Sequence, residues 1–105
     1  ASDRRSWRPG FPPDGSPTPE SAYEQARLCL SIIAEALGRA GSSVEDVVRT
    51  RIFVSNVAHW EAVSRAHGER FGRIQPANTL VEARLIGDEY LVEIEAEAEV
   101  PGTGA

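Results

Sequence analysis

Four glutamates recur at every second position near the end of the chain. Glu93, Glu95, Glu97 and Glu99 alternate with Val92, Ile94, Ala96, Ala98 and Val100. A period of two belongs to a β-strand, so the carboxylates share one face and the aliphatic side chains the other. Like charges two apart repel, and something must offset them. Two outcomes are open. Arg49, Arg51 and Arg84 on neighbouring strands neutralise a solvated face, or one carboxylate ends in a pocket and there orients a water or moves a proton. Cys29 falls mid-helix beside an apolar stripe, with no helix N-terminus or cation to activate it, and reads as a buried thiol. His67 lies on the apolar spacing of a helix and reads as a packed or interface histidine rather than a base. His59, near that helix's start, reads as exposed. Two histidines and no cysteine cluster leave a transition metal short of ligands unless subunits pool them, so no metal is expected. Spacing alone supports no Ser-His-Asp arrangement.

The elements that position these groups follow from punctuation and periodicity. Residues 1–19 hold seven prolines and glycines among Ser, Asp and Arg (Pro9, Gly10, Pro12, Pro13, Gly15, Pro17, Pro19), a composition that disfavours regular structure and reads as an N-terminal arm. Trp7 and Phe11 are unusual in a flexible arm, which leaves open whether it packs on something. Thr18-Pro19-Glu20 reads as a helix start, with Thr18 as the cap. Ala22, Ala26, Leu30, Ile33 and Leu37 then recur at helical spacing, flanked by Leu28, Ile32 and Ala34, until Gly38 and Gly41. That wide apolar stripe suits a helix lying on a sheet. Ser42 with Glu45 resembles a capping box for one turn over residues 44–47. Residues 48–57 read as a strand, 59–71 as a second helix through Trp60, Val63, His67 and Phe71, and 77–85 as a second strand with Thr79, Val81, Ala83 and Leu85 on one side. Gly87-Asp88 marks a turn, 90–100 is the third strand, and 101–105 a frayed tail. Helix, strand, helix, strand, strand gives an α+β layer with two helices over one face of a sheet of three or more strands. The boundaries are an arm over 1–19, a domain over 20–100 and a tail over 101–105.

With 105 residues the chain accommodates one domain of limited stability, which oligomerisation would help. No apolar run approaches the roughly 20 residues of a spanning helix, and no signal-peptide core follows Asp3, Arg4, Arg5 and Arg8, so no membrane partner is expected. A net charge of −5 repels nucleic-acid phosphates. All 11 basic residues are Arg, so Schiff-base chemistry on a protein lysine is excluded. A single cysteine suits a reducing, cytoplasmic compartment. With Met 0, the sequence is expected to be processed, tagged or truncated, or to lack its start.

Several segments together resemble one family. They are Asp46-Val47-Val48-Arg49-Thr50-Arg51-Ile52-Phe53-Val54, Trp60-Glu61-Ala62-Val63 with His67 to Phe71, Gln75-Pro76-Ala77-Asn78-Thr79-Leu80-Val81-Glu82, and Leu91-Val92-Glu93-Ile94-Glu95-Ala96. With Tyr23-Glu24-Gln25-Ala26-Arg27 they resemble the RidA family, also called YjgF or L-PSP endoribonuclease-like, over about residues 16–100. The resemblance implies a chorismate-mutase-like α+β fold, a mixed sheet with two helices on one face. It implies a homotrimer with small-molecule clefts between subunits. The activity it implies is cofactor-free hydrolysis of 2-aminoacrylate-type enamines and imines to 2-oxo acids and ammonia. By the same resemblance, Glu93 falls on the glutamate that positions water. Thr79 follows the position of the carboxylate-gripping arginine, and Ser64 falls where many members carry a cleft asparagine.

Asn78 falls on the arginine itself, which places the chain in a subgroup without that residue. A guanidinium grips a carboxylate by two charge-assisted bonds. An amide offers a neutral NH₂ and no charge. Either another Arg compensates, or the ligand is not a small carboxylate. The second departure is the family's N-terminal β-hairpin, which nothing in residues 1–19 resembles. An upstream segment is therefore expected to be missing or to come from another chain. The 105-residue piece alone is expected to leave a sheet edge open and to aggregate or fold poorly. Glu93 and Asn78 are expected to face a common groove between protomers. Three functions follow as alternatives: an enamine or imine deaminase, a binding or regulatory trimer that lost the activity with the arginine, and a ribonuclease, which the acidic charge disfavours.

Overall fold

The computed structural model describes residues 2–7 and 15–99, the first segment as backbone only. The elements run β1 (Ser2–Trp7), α1 (Ala22–Arg39), a 3₁₀ turn (Val44–Asp46), β2 (Val47–Val54), a second 3₁₀ turn (Val57–His59), α2 (Trp60–Phe71), β3 (Ala77–Glu82) and β4 (Val92–Glu99). They form one four-stranded sheet in the order β1-β4-β2-β3. β2 is antiparallel to β4 and parallel to β3, so the sheet is mixed. The parallel pair requires a crossover, and α2 supplies it. Both helices lie against one face, in the α+β architecture expected.

The pattern of β4 explains the layer. Val92, Ile94, Ala96 and Ala98 are buried while the intervening glutamates are not. Below them pack Ala22, Ala26, Cys29, Leu30, Ile33 and Leu37 of α1, and Val63, Ala66 and Phe71 of α2. Full burial of each large aliphatic or aromatic side chain contributes about 1.5–3 kcal/mol. Cys29 is a free, buried thiol, and burial pushes its pKa well up, with the charge of Glu93 adding to the effect. It is inert, as expected of a core thiol.

β2 departs from strict alternation. Val47 and Thr50 are both buried although three apart. The register slips between Val47 and Arg49, where Val47 lies across from Ala98 and Arg49 from Glu97. Such a bulge adds one residue and re-aims those that follow. It turns Thr50 inward, and Ile52 and Val54 follow.

Three expectations need correction. Regular structure was not expected within residues 1–19, yet Ser2–Trp7 is a strand, antiparallel to β4 from Ser2 opposite Glu99 to Trp7 opposite Ile94. Its sequence lacks apolar alternation. The free backbone edge of β4 supplies the partner that propensity does not. β4 is thereby an inner strand, between β1 and β2. Phe11, the side chain of Trp7 and the tail 101–105 lie outside the described residues. α1 begins at Ala22, not Pro19, because the Ser21 hydroxyl accepts the Glu24 N–H at 3.0 Å and serves as the cap assigned to Thr18. The capping pair of the first 3₁₀ turn is shifted by one residue. The Asp46 carboxylate accepts from the Ser43 N–H at 3.2 Å and the Ser42 hydroxyl at 3.1 Å.

Gln25 is fully buried in α1 and closes the layer at the turn before β4. Its amide donates to the Pro19 and Glu89 carbonyls and accepts the Leu91 N–H, each at 2.8 Å. These bonds tie the start of α1 to the loop that launches β4. Gln25→Ala removes all three part-buried bonds and leaves the backbone groups of Pro19, Glu89 and Leu91 without this partner, which is expected to cost about 1–3 kcal/mol in urea unfolding. A loss inside the surface-substitution range of about 0.5 kcal/mol would contradict that role.

Candidate functional site

Thr50 is a fully buried polar residue on the apolar face of β2. A buried hydroxyl needs partners. It donates to Oδ1 of Asn78, directly across on β3, at 2.9 Å. On its other side lies Nε2 of His67, one turn from the end of α2, at 2.8 Å. A threonine hydroxyl has a single proton. Since that proton goes to Asn78, Oγ1 accepts, and His67 carries its proton on Nε2. The chain of donors therefore runs His67, Thr50, Asn78, from the helix layer to the exposed edge strand. The two N–H donors of the Asn78 amide are not used in it. His67 is half-buried, its ring 4.9 Å from that of Phe71, and desolvation lowers its pKa, so it is neutral at neutral pH.

The backbone that presents Asn78 is set by the turn from α2. Gln75 adopts a left-handed conformation at φ 53°, its N–H bonded to the Phe71 carbonyl at 2.8 Å. That turn reverses the chain, and Pro76 leads it extended into β3. Ser64, half-buried on α2, precedes His67 by three residues and so lies beside it on the helix surface.

Glu93 and Thr79 belong to the opposite face of the sheet. Arg51 stands between Thr79 and Glu95 in one cross-strand row, and Phe53 between Val81 and Glu93 in the next. Arg49 faces Glu97. Two of the three arginines expected to offset the acidic strand therefore stand opposite Glu95 and Glu97, whereas Arg84 lies beyond the end of β3; Glu93, half-buried like Glu95 and Glu97, has Phe53 as its partner on β2. Within one protomer the fold links Asn78, Thr50 and His67 on the helix side, with Ser64 one turn before His67 on α2. It does not bring Asn78 and Glu93 together.

Thr50 was not singled out as a site residue, and His67 was read only as packed. A signal was available: a lone hydroxyl among Ile52 and Val54, and a lone imidazole on a helix stripe, are two buried polar groups that need each other. A separate cavity of about 600 Å³ opens at the far end of the sheet, lined by Ser55, Asn56, His59, Glu82, Arg84 and Tyr90 among others. It contains none of the four predicted residues. There Glu82 accepts the Val57 N–H and Asn56 the Ala58 N–H, both at 2.9 Å, which holds the loop after β2. Among the described residues no three His, Cys, Asp or Glu side chains gather as a metal-ligand group, and no helix is long and apolar enough to cross a membrane.

The sequence model of the family described as Endoribonuclease L-PSP matches residues 9–100. The chain belongs to that family, the RidA/YjgF proteins. Among its relatives are SCO2049 of Streptomyces coelicolor, 35% identical over 77 residues, which are 72% of this chain and 58% of that protein. Another is the 3-aminoacrylate deaminase RutC of Acinetobacter baylyi, 33% identical over 79 residues, 75% of this chain and 63% of that one. The chain thus spans about three-fifths of these relatives' length. The crystal structure of Rv2704 from Mycobacterium tuberculosis, a member of the YjgF/YER057c/UK114 family, superposes with a TM-score of 0.77 at 43% identity, covering 79% of this chain and 71% of that one. The RidA/YjgF fold expected from the sequence is the fold observed.

In this RidA-family chain the neutral state of His67 links to stability. Its folded pKa lies below the ordinary 6.5 because burial disfavours the imidazolium. The unfolded chain then binds a proton that the folded chain refuses, so stability falls as pH drops below about 6.5 toward the folded value. His67→Gln, which does not titrate, is expected to flatten that fall in urea midpoints measured between about pH 7.5 and 5. An unchanged slope would mean that His67 is not held neutral.

Proposed function

We propose that this chain is a RidA-like protein that takes a small molecule in a cleft between the subunits of a homotrimer. There it hydrolyses an enamine or imine to a carbonyl product and ammonia. The observation that carries the proposal is the environment of Glu93. It is half-buried, as Glu95 and Glu97 are, but its cross-strand partner on β2 is Phe53 where theirs are arginines. A carboxylate with no arginine across from it on β2 suits proton transfer at a positioned water. The likeness to a protein named as a 3-aminoacrylate deaminase supports the same reaction class.

In this scheme water bound to Glu93 attacks the imine carbon and gives its proton to the carboxylate. The carboxylate returns that proton to the nitrogen, which gives the neutral carbinolamine; as the C–N bond breaks, the hydroxyl proton passes by way of Glu93 to the nitrogen, which leaves as ammonia, and the oxygen becomes the carbonyl. Asn78 and the main chain at Thr79 hold a substituent of the substrate, and Ser64 lines the same cleft. Because Asn78 and Glu93 occupy opposite faces of one protomer, the cleft joins the amide of one subunit to the carboxylate of its neighbour. No cofactor takes part, and the single reduced thiol suits the cytoplasm.

The test is ammonia release from enzymatically generated 2-aminoacrylate and from longer imines. Loss of a general base costs about 10²–10⁴-fold, so Glu93→Ala is expected to lower the rate at least about 100-fold. Equal rates in the two proteins would remove Glu93 from the mechanism. A second reading, a binding trimer without deaminase activity, is favoured by the amide at position 78. It predicts no hydrolysis by the wild type and acquisition of it by Asn78→Arg. If that variant gains nothing, the pocket differs from the family site by more than one side chain.

A further inference from the structure

Asn78 is not a bare edge residue. Its Oδ1 is engaged by Thr50, Thr50 is engaged by His67, and neither partner carries a charge at neutral pH. We propose that Thr50 and His67 are positioning residues that present the Asn78 NH₂ as an uncharged donor. The ligand group received there is a neutral oxygen acceptor, a ketone or carboxamide, rather than a carboxylate. This inference rests on the reading that Asn78 faces the ligand.

The direction of the hydrogen bonds supports it. With Oδ1 committed inward, the amide is held in one orientation and the outward group is NH₂, a donor only. Each donation polarises the next bond in the chain, so the terminal N–H groups are better donors than those of a solvated amide. A carboxylate entering such a site gives up hydration and gains no countercharge. The arginines that flank Thr50 do not supply one within the protomer: Arg49 and Arg51 alternate to the other face, opposite Glu97 and Glu95. A neutral carbonyl loses far less hydration and is matched by two neutral donors. Thr50 itself is fully buried and touches no ligand, so its effect reaches the site only through Asn78.

The experiment is ¹⁵N NMR titration of the protein with two probes of the same shape, 2-oxobutanamide and 2-oxobutanoate. The amide is expected to shift the Asn78 side-chain NH₂ resonances and to bind at least about tenfold more tightly than the acid, the value of one charge-mismatched hydrogen bond. Thr50→Val keeps the shape and removes both bonds. It is expected to move the free-state Asn78 resonances and to weaken the amide about tenfold, erasing most of the preference. Thr50→Ser, which keeps the hydroxyl, should restore both. If Thr50→Val does not fold, His67→Phe, which keeps an aromatic beside Phe71, is expected to show the same loss. Unchanged amide affinity and unmoved Asn78 resonances in the folded variant would overturn the positioning role. Equal or tighter binding of 2-oxobutanoate at Asn78 would overturn the neutral-ligand assignment and leave the site in place. Failure of both probes to move the Asn78 resonances would overturn the assignment together with the reading of Asn78 as a ligand contact.

Discussion

A hydroxyl buried in the middle of a sheet constrains everything around it. Thr50 sits where β2 needs an apolar residue, and it is accommodated because His67 reaches it from the helix layer and Asn78 from the neighbouring strand. Those two bonds fix how α2 lies over the sheet and how β3 registers on β2. The bulge at Val48 makes the arrangement possible, since without the extra residue Thr50 would turn to the open face and Arg49 and Arg51 to the core. The polar chain and the apolar core are one construction. His67 stands beside the buried ring of Phe71, and its burial keeps it neutral.

The two faces of the sheet divide the labour. The helix-side face carries the core and, at its β3 edge, an amide whose orientation is determined from within. The open face carries a row of carboxylates and guanidiniums in alternation, broken at Glu93 by Phe53. A strand with four acidic residues on one face is stable only if neighbouring strands supply opposite charge, and β2 does so at two of the rows. In the third row the β2 partner is Phe53, and the proposed chemistry of Glu93 rests on that difference. Catalysis by Glu93 together with Asn78 then requires more than one copy of the chain, and an exposed sheet face on a small domain is a natural surface for association.

How much of this the sequence disclosed depended on whether burial or pairing set the outcome. The alternation in β4 placed Val92, Ile94, Ala96 and Ala98 inside and the glutamates outside, and the structure agrees residue by residue. The α1 stripe was equally legible, because 3.6-residue periodicity is a direct consequence of lying on a core. Gln25 was not, since a polar residue within the stripe gives no hint that distant carbonyls at Pro19 and Glu89 await it. β1 escaped for a different reason. Ser2–Trp7 has neither alternation nor β-branched residues, and it is a strand because β4 offers an unpaired edge. The chemistry at Asn78 was half legible. Its family position came from the surrounding motif, but its orientation depends on Thr50 and His67, which approach from another strand and a helix and leave no spacing signature in the chain.

The central claim is that an amide from one subunit and a carboxylate from the next share a cleft. The most direct test is an experimentally determined structure of the assembled protein, read at one distance. The account predicts a trimer in which Asn78 of one protomer and Glu93 of its neighbour line the same groove, close enough for a water and a small ligand to bridge them, within about 6 to 9 Å. A monomer, or an assembly that leaves these two side chains facing separate surfaces, would contradict it.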